Sequence, residues 1–416
     1  MDHEPPVALD LSGADIHGEA ARIRAHGPVA RIALPGGVLA WSVTGYEAGR
    51  QILADERFSK DPRRHWTAYA RGEIGPEFPL IAWARMENLT SSYGEEHARL
   101  RRLVLTAFTP RRVQTLRPAI EALVSDLLDD LAKHAPTDVV DLKAEYGHPL
   151  AANVIGELIG VPAAERVGVL GGGGGAYATA SKKITPEEAA AAFARLRGQM
   201  SELIARKREV PGDDLTSDLI AARDGGARLD NGEIVSTLLL LLNTGTEPAM
   251  HLLVNATRAM LAAPDQLRAV RSGQATWAGV IEETLRVDAP VAHLPFRFAT
   301  EDVEIAGVRI GKGEPILMNF AGMGRDPAVH GAGADRFDVG RTDKRHLSFG
   351  HGIYRCLGSA LAWLEVEIGL AALFRRFPAL RLAVPAGDLA PQGMFAMNGP
   401  ARLPVHLGEE DPPWRG

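Results

Sequence analysis

The stretch HLSFGHGIYRCLGSALAWLEVEIGLAALF (346–374) carries the single cysteine, Cys356, of a 416-residue chain. Gly350 and Gly352 mark its first part as a loop. The apolar residues after Cys356 recur at helical spacing, which predicts a helix over 357–375. A thiol at a helix N-terminus meets free backbone N–H groups and the positive end of the helix dipole. Both favour thiolate, and a thiolate is a nucleophile or a metal ligand. The alternative is an inert thiol that fills the core. A phosphatase-type loop would need Arg six residues after the cysteine, where Ala362 stands, and the local signatures of cysteine hydrolases are absent. Phe349 offers an aromatic face that can shield a flat ligand.

A second stretch, LLLLLNTGTEPAMHLL (238–253), lies inside a predicted helix over 231–262, with Asp230 as its N-cap and Pro264 just past its end. Gly245 in a helix interior costs about 1 kcal/mol against Ala, and Pro248 costs about 3. Beside them Glu247 is a carboxylate that resists burial. A helix that keeps all three within one turn is expected to use the distortion.

The remainder reads as mainly α with small β-sheets. Helical patterns run over 95–108, 113–131, 150–159, 186–207, 213–223 and 277–287. VARIALPGGVLAWSV (29–43) predicts a hairpin around Pro35, Gly36 and Gly37. Strand-like alternation covers 296–320, with short strands near 380–384 and 402–407. Residues 61–93 read as mostly loop, and five glycines (171–175) as a surface linker or a mobile lid. No repeat and no linker divides the chain, so one large domain over 1–416 is expected. Hydrophobic content of 46% and charged content of 24% suit a soluble globular protein. A net charge of −6 argues against nucleic acid as partner. The start lacks a signal-peptide pattern, and the longest apolar run, 238–242, is too short for a bilayer. A cytoplasmic protein with no membrane association and no intrachain disulfide is expected.

Phe349, Gly352, Cys356 and Gly358 spell F-x-x-G-x-x-x-C-x-G, which resembles the haem-ligand loop of the cytochrome P450 family. Three further elements follow the same resemblance in order along the chain. EEHARLR (95–101) gives H-x-x-x-R as His97 and Arg101, and EETLR (282–286) gives E-x-x-R as Glu283 and Arg286. ADRFD (334–338) supplies Arg336 as third member of that charge cluster. Thr244, Gly245, Thr246, Glu247 and Pro248 stand where the family has its oxygen-binding A-G-x-E-T. The likeness extends from about residue 28 to 407 and is to soluble, ferredoxin-dependent bacterial members, in particular actinobacterial enzymes that tailor natural products.

The resemblance implies the P450 fold and haem b, an iron protoporphyrin IX with Cys356 thiolate as axial ligand. It implies that His97, Arg101 and Arg297 neutralise the propionates, and that Glu283, Arg286 and Arg336 brace the cysteine loop structurally. Tyr354 departs from the family, which usually has His or Arg two residues before the ligand. The long helix is expected to open a groove beside the iron, with Gly245 allowing close approach and Pro248 leaving the Thr244 carbonyl without its i+4 donor. Glu247 is expected to pass protons. The usual residue at 248 is Thr, so Thr244 or a substrate hydroxyl must replace its function. The substrate pocket is expected to draw on Trp83, Met86, Leu89, Leu240, Leu241, Val291, Ala292, Leu294, Phe395 and Met397, with Phe78 and Met394 nearby.

These residues suit a bulky, largely apolar small molecule, hydroxylated or epoxidised by one oxygen atom from O2 in secondary metabolism or antibiotic biosynthesis. With no reductase domain expected beyond the haem region, electrons are expected from a separate ferredoxin and ferredoxin reductase. They would dock on a basic surface of Arg102, Arg111, Arg112, Lys344, Arg345 and Arg355, and the enzyme would act as a monomer. Pro248 keeps open a peroxygenase or an oxidative C–C or C–O coupling enzyme on the same fold. A non-catalytic helper protein is disfavoured by Cys356.

Overall fold

A computed structural model describes residues 5–170 and 186–409. The five-glycine run lies outside the described residues. Among the described residues the architecture is mainly helical with three sheets. Its axis is the long helix Asn231–Ala262. A capping box starts it: the Asp230 carboxylate accepts from the Glu233 N–H at 2.8 Å, and Glu233 accepts from the Asp230 N–H at 2.9 Å. Such a cap contributes about 1 kcal/mol. The helix packs against His148–Ile159, Pro186–Glu209, Trp277–Val287 and Ser359–Arg376. Leu238, Leu252, Leu253, Leu158, Leu361 and Leu370 lie within this one apolar cluster, each nearly or fully buried.

The largest sheet has six strands in the order Val7–Ala8, Val29–Leu34, Val38–Val43, Pro315–Asn319, His293–Ala299, Phe58–Ser59. The expected hairpin supplies its second and third strands, turning at Gly36 and Gly37 with φ of 80° and 77°, a region that favours glycine. Among the described residues no helix is long and apolar enough to cross a membrane.

Several elements differ from expectation for local reasons. The pattern over 113–131 divides into Pro110–Thr115 and Arg117–Leu131, with Pro118 in the first turn of the second. Pro264 does not merely follow the long helix; it opens another, Pro264–Arg271. Asp214 caps Leu215–Ala221, which is shorter than the 213–223 expected. Helices Ile16–Ala25, Tyr46–Ala54 and Ala163–Leu170 were not anticipated. Residues 61–93 contain single helical turns, including Pro62–His65 and Ile81–Ala84, joined by loops. The long helix itself is continuous through Pro248, so the expected distortion is a missing hydrogen bond and not a break.

Candidate functional site

Cys356 ends a loop that only glycine can shape. Gly350 and Gly352 have φ of 70° and 68°, and a Cβ on Gly352 would lie 2.7 Å from the Leu53 carbonyl oxygen. The loop therefore docks directly on the helix Tyr46–Ala54. The Cys356 N–H donates to the Phe349 carbonyl at 2.8 Å. Helix Ser359–Arg376 begins three residues later, and the N–H groups of Gly358 and Ser359 point at the thiol. The thiol is embedded in protein yet open to a water-sized probe. Both hold together if it borders a gap inside the molecule. Burial outweighs the N–H donors and the Arg355 and Arg101 charges, so the thiol pKa is raised, against the lowering expected from the helix end alone. Protein donors by themselves are too weak to hold the thiolate; a metal cation would supply the missing charge.

Around Tyr354 the chain gathers cations with no carboxylate bonded to them among the described residues. The Tyr354 ring lies against His97, tilted by 34° with 4.0 Å between centroids, while Arg297 lies 5.0 Å and Lys60 6.0 Å from its centre. Tyr354 donates its hydroxyl to the Ser92 carbonyl at 2.7 Å. His97 is buried, and its Nε2 has no hydrogen-bond partner. Burial, with Arg101, Lys60 and Arg297 nearby, lowers its pKa to about 4. Burial lowers Arg297 to about 10, and burial with the Arg297 charge lowers Lys60 to about 7. Arg101 donates to the Arg355 carbonyl at 2.9 Å, tying the clamp helix Glu95–Ala107 to the cysteine loop. Arg101 thus braces the ligand segment as well as facing the site. Neither Lys60 nor Ser92 is marked by any local motif.

Across the long helix the functional side chains separate by face. Thr244 is exposed among mostly half-buried neighbours, and its hydroxyl donates to the Leu240 carbonyl at 2.7 Å. Thr246 is buried and turned away. A Cβ on Gly245 would lie 2.4 Å from Ile155 Cδ1, so its smallness seats the helix His148–Ile159. Glu247 is mostly buried with Oε2 unpartnered, and burial raises its pKa to about 7 against the pull of Lys143. Lys143, missed in the sequence, donates to the Gln392 side chain and, at 2.9 Å, to the Pro400 carbonyl. Burial lowers its pKa to about 8.

Glu283 and Arg286 are fully buried and paired at 2.7 and 2.8 Å. The second cation on Glu283 is Arg341, at 3.2 Å, and not Arg336. Arg336 contributes its backbone carbonyl to Arg286 at 2.8 Å instead. The physical reason is the irregular segment after 334, which aims the later guanidinium inward. The direct brace of the cysteine segment is the adjacent Glu282. Its carboxylate meets His346 Nε2 at 3.2 Å and accepts from Trp363 Nε1 at 3.0 Å, joining the loop before Cys356 to the helix after it. The Ser348 hydroxyl adds a bond to the Leu285 carbonyl.

Of the expected pocket, Trp83, Met86, Leu240, Leu241, Val291 and Leu294 are partly exposed. Leu89, Ala292, Phe395 and Met397 are packed, as are Phe78 and Met394. A Val291–Met397 bridge and an Ala292 N–H to Ala396 carbonyl bond of 2.9 Å clamp the two segments together. The expected basic surface is largely neutralised. Arg102 pairs with Asp224, Arg112 with Asp213 and Asp218, and Arg345 with Asp343. Lys344 donates to the Val339 and Arg341 carbonyls.

The residues fit an iron porphyrin. Among the described residues no cluster of three or more His, Cys, Asp or Glu can hold a metal ion, so an ion on Cys356 must bring most of its own ligands. The uncompensated cations beside Tyr354 ask for carboxylates, and haem carries two. Partly exposed Phe349, Leu240 and Leu241 supply apolar surface.

Comparison with known proteins points the same way. The sequence profile described as Cytochrome P450 matches residues 277–388. Over 402 residues the chain is 50% identical to 2-hydroxy-5-methyl-1-naphthoate 7-hydroxylase of Streptomyces carzinostaticus, covering 97% of each chain. The solved structure of CYP154C4 from Streptomyces sp. W2061 matches with a TM-score of 0.91 at 42% identity, over 98% of this chain and 99% of that one. The cytochrome P450 enzyme CxnD, described as acting in C–S bond formation in chuangxinmycin biosynthesis, matches with a TM-score of 0.86 at 32% identity, over 99% and 100% of the two chains.

Proposed function

This chain belongs to the cytochrome P450 family, and from that premise we propose that it binds haem b through the Cys356 thiolate and inserts one atom of O2 into a bulky, largely apolar natural product. The whole chain acts as one catalytic domain. The observation that carries this reading is the thiol of Cys356, surrounded by protein, fed by two helix N–H groups and still open on one side. The 50% identity to a naphthoate hydroxylase favours hydroxylation of a fused-ring aromatic or similarly flat scaffold.

Iron protoporphyrin IX, when bound, supplies oxygen activation at a thiolate-ligated iron. The chain's own residues set the conditions. The Gly358 and Ser359 N–H groups temper the charge on sulfur. His97 and Arg297 hold propionates, and Arg101 fixes the ligand loop. Thr244 is exposed with its hydroxyl on the Leu240 carbonyl, and its own carbonyl lacks an i+4 donor because Pro248 has no N–H. Glu247, near neutrality, holds a proton that it can give up, and Lys143 sets how tightly. Trp83, Met86, Val291 and Leu294 offer apolar surface to the substrate.

Electrons come from a separate ferredoxin and its reductase. Arg111 and Arg355, which have no carboxylate partner among the described residues, are the cations left for docking. Pro248 favours a second reading, oxidative coupling or peroxygenase chemistry, and the C–S bond-forming relative shows a coupling reaction within the family. The test is direct. Purified protein should bind haem and give a thiolate-type carbon-monoxide difference spectrum that Cys356→Ser abolishes. Turnover with ferredoxin, reductase and O2, but not with peroxide alone, supports monooxygenation; efficient peroxide-driven turnover supports the second reading. A protein that refuses hemin ends both.

A further inference from the structure

We propose that Lys60 anchors the cofactor: together with Arg297 it holds one haem propionate, and it supplies from the sheet edge the charge that position 354 lacks. The inference rests on the haem reading above.

Strand Phe58–Ser59 pairs antiparallel with His293–Ala299, Phe58 opposite Ala299 and Ser59 opposite Phe298. The next step of that register sets Lys60 opposite Arg297. Like charges directly across paired strands repel. Both groups crowd the same Tyr354 ring, Nζ at 6.0 Å and Cζ at 5.0 Å from its centre. Among the described residues neither has a carboxylate partner, and Arg297 has one long bond, 3.5 Å, to the Phe58 carbonyl. The carboxylate that reaches Tyr354 electrostatically, Asp61, is held by the Arg63 N–H at 3.0 Å and Arg63 Nε at 3.3 Å. The ring of buried His97, whose Nε2 has no hydrogen-bond partner, lies against the same Tyr354 ring. Contact with an aromatic face offsets only a small part of the cost of holding the half-buried Lys60 beside the buried Arg297. An anion between them resolves the repulsion, and a carboxylate bonded by both is the group that matches a lysine and an arginine at this spacing. The propionate is the carboxylate that an iron porphyrin on Cys356 brings.

The experiment compares haem transfer from holoprotein to excess apomyoglobin. Lys60→Gln should release haem about tenfold faster or more, as expected for loss of a charge-assisted bond, while Lys60→Arg should stay near wild type. Lys60→Gln combined with Tyr354→His, which moves a donor to position 354, should recover much of the loss. Reconstitution with haem dimethyl ester, whose propionates carry no charge, should make wild type and Lys60→Gln release at the same rate. If wild type binds haem and Lys60→Gln releases the ordinary cofactor no faster, the assignment of Lys60 fails and the haem enzyme stands. An equal Lys60→Gln effect with the ester would also overturn it, by showing a structural role. If wild type takes up no haem, both readings fall.

Discussion

Glu283 and Arg286 meet twice, at 2.7 and 2.8 Å, and neither side chain has any exposed surface. The guanidinium gives its other N–H groups to the carbonyls of Gly324, Ala334 and Arg336, at 2.6–2.8 Å. All five donors of Arg286 are thus spent inside the protein. Removing it leaves the buried Glu283 carboxylate with the longer Arg341 contact as its remaining cation, and breaking a buried pair costs about 3–5 kcal/mol. Arg286→Ala should lose that much in guanidinium denaturation, or fail to accumulate as soluble protein. Arg286→Lys should fare little better, because an ammonium cannot span a carboxylate and three carbonyls at once. A lysine variant with wild-type stability would show that the fork geometry is unimportant.

Gly245 and Ile155 give a packing prediction. A Cβ at 245 would overlap Ile155 Cδ1 at 2.4 Å and Cγ1 at 2.9 Å. Gly245→Ala should therefore lose about 1–3 kcal/mol from overpacking, reduced by up to about 1 kcal/mol of gained helix propensity. Ile155→Val deletes the worse contact, so the double variant should recover part of the loss. The check is a double-mutant cycle read by denaturation, with a coupling of about 0.5 kcal/mol or more. Additive effects would mean that the two helices slide apart instead of clashing.

Gly245 also shows what the sequence conceals. Its cost inside a helix is legible, and so is the peculiarity of Thr-Gly-Thr-Glu-Pro. Which face the glycine turns to Ile155 is set by tertiary packing, which no local pattern reports. The helix ends are legible where side chains announce them, as with Asp230 and Glu233 or Thr276, whose hydroxyl accepts from the Gly279 N–H at 3.0 Å. His97 and Arg101 are legible because one helical turn relates them. Lys60 and Lys143 are not. The first meets Arg297 only through strand pairing, and the second meets Gln392 only because the C-terminal turn folds back. Arg341 takes the place expected of Arg336 because both lie in irregular chain, where periodicity says nothing of direction. Glu282 was overshadowed by its neighbour, although adjacent helical residues face different ways and can brace different partners.

Glu247 predicts a pH profile. Burial raises its carboxyl from 4.5 to about 7, so it keeps its proton below that value and loses it above. If it donates protons during turnover, product per electron should fall as pH rises through about 7. Glu247→Gln should remove that limb and slow turnover about 10²-fold. Lys143 acts on the carboxyl in the opposite sense to burial, so Lys143→Met should move the limb to higher pH. The nearby His251 is buried and held neutral, its pKa well below the ordinary range, and adds no charge of its own. Lys143 loses its own charge above about 8, which broadens the wild-type limb. The same shift enters stability. Below 4.5 the acid is protonated folded or unfolded, and no penalty exists; above about 7 the folded protein bears the full cost of a buried carboxylate. Glu247→Gln should thus gain in melting temperature over wild type only toward alkaline pH. A gain that is equal at all pH values would refute the assignment.

Thr244 and Pro248 face the same side of the long helix one turn apart, and together they test how the groove works. Thr244 satisfies its hydroxyl on the Leu240 carbonyl at 2.7 Å, yet the side chain is exposed, so that bond can be traded for one to a water or substrate. Pro248 withholds an N–H from the Thr244 carbonyl, which leaves a second acceptor at the same residue. If these two groups replace the hydroxyl that the family places at 248, Thr244→Val should lower product per electron about tenfold, the scale of one hydrogen bond to a reacting group. Pro248→Thr restores both an N–H and a hydroxyl. In that background Thr244→Val should matter little, and substrates lacking a hydroxyl should be turned over with better coupling than by wild type. Peroxide formation and product yield, measured side by side in wild type and the three variants, decide it. Were Thr244→Val silent and Pro248→Thr without effect on coupling, oxygen protonation would run without either residue, and the proline would be a tolerated irregularity in a helix held straight by its neighbours.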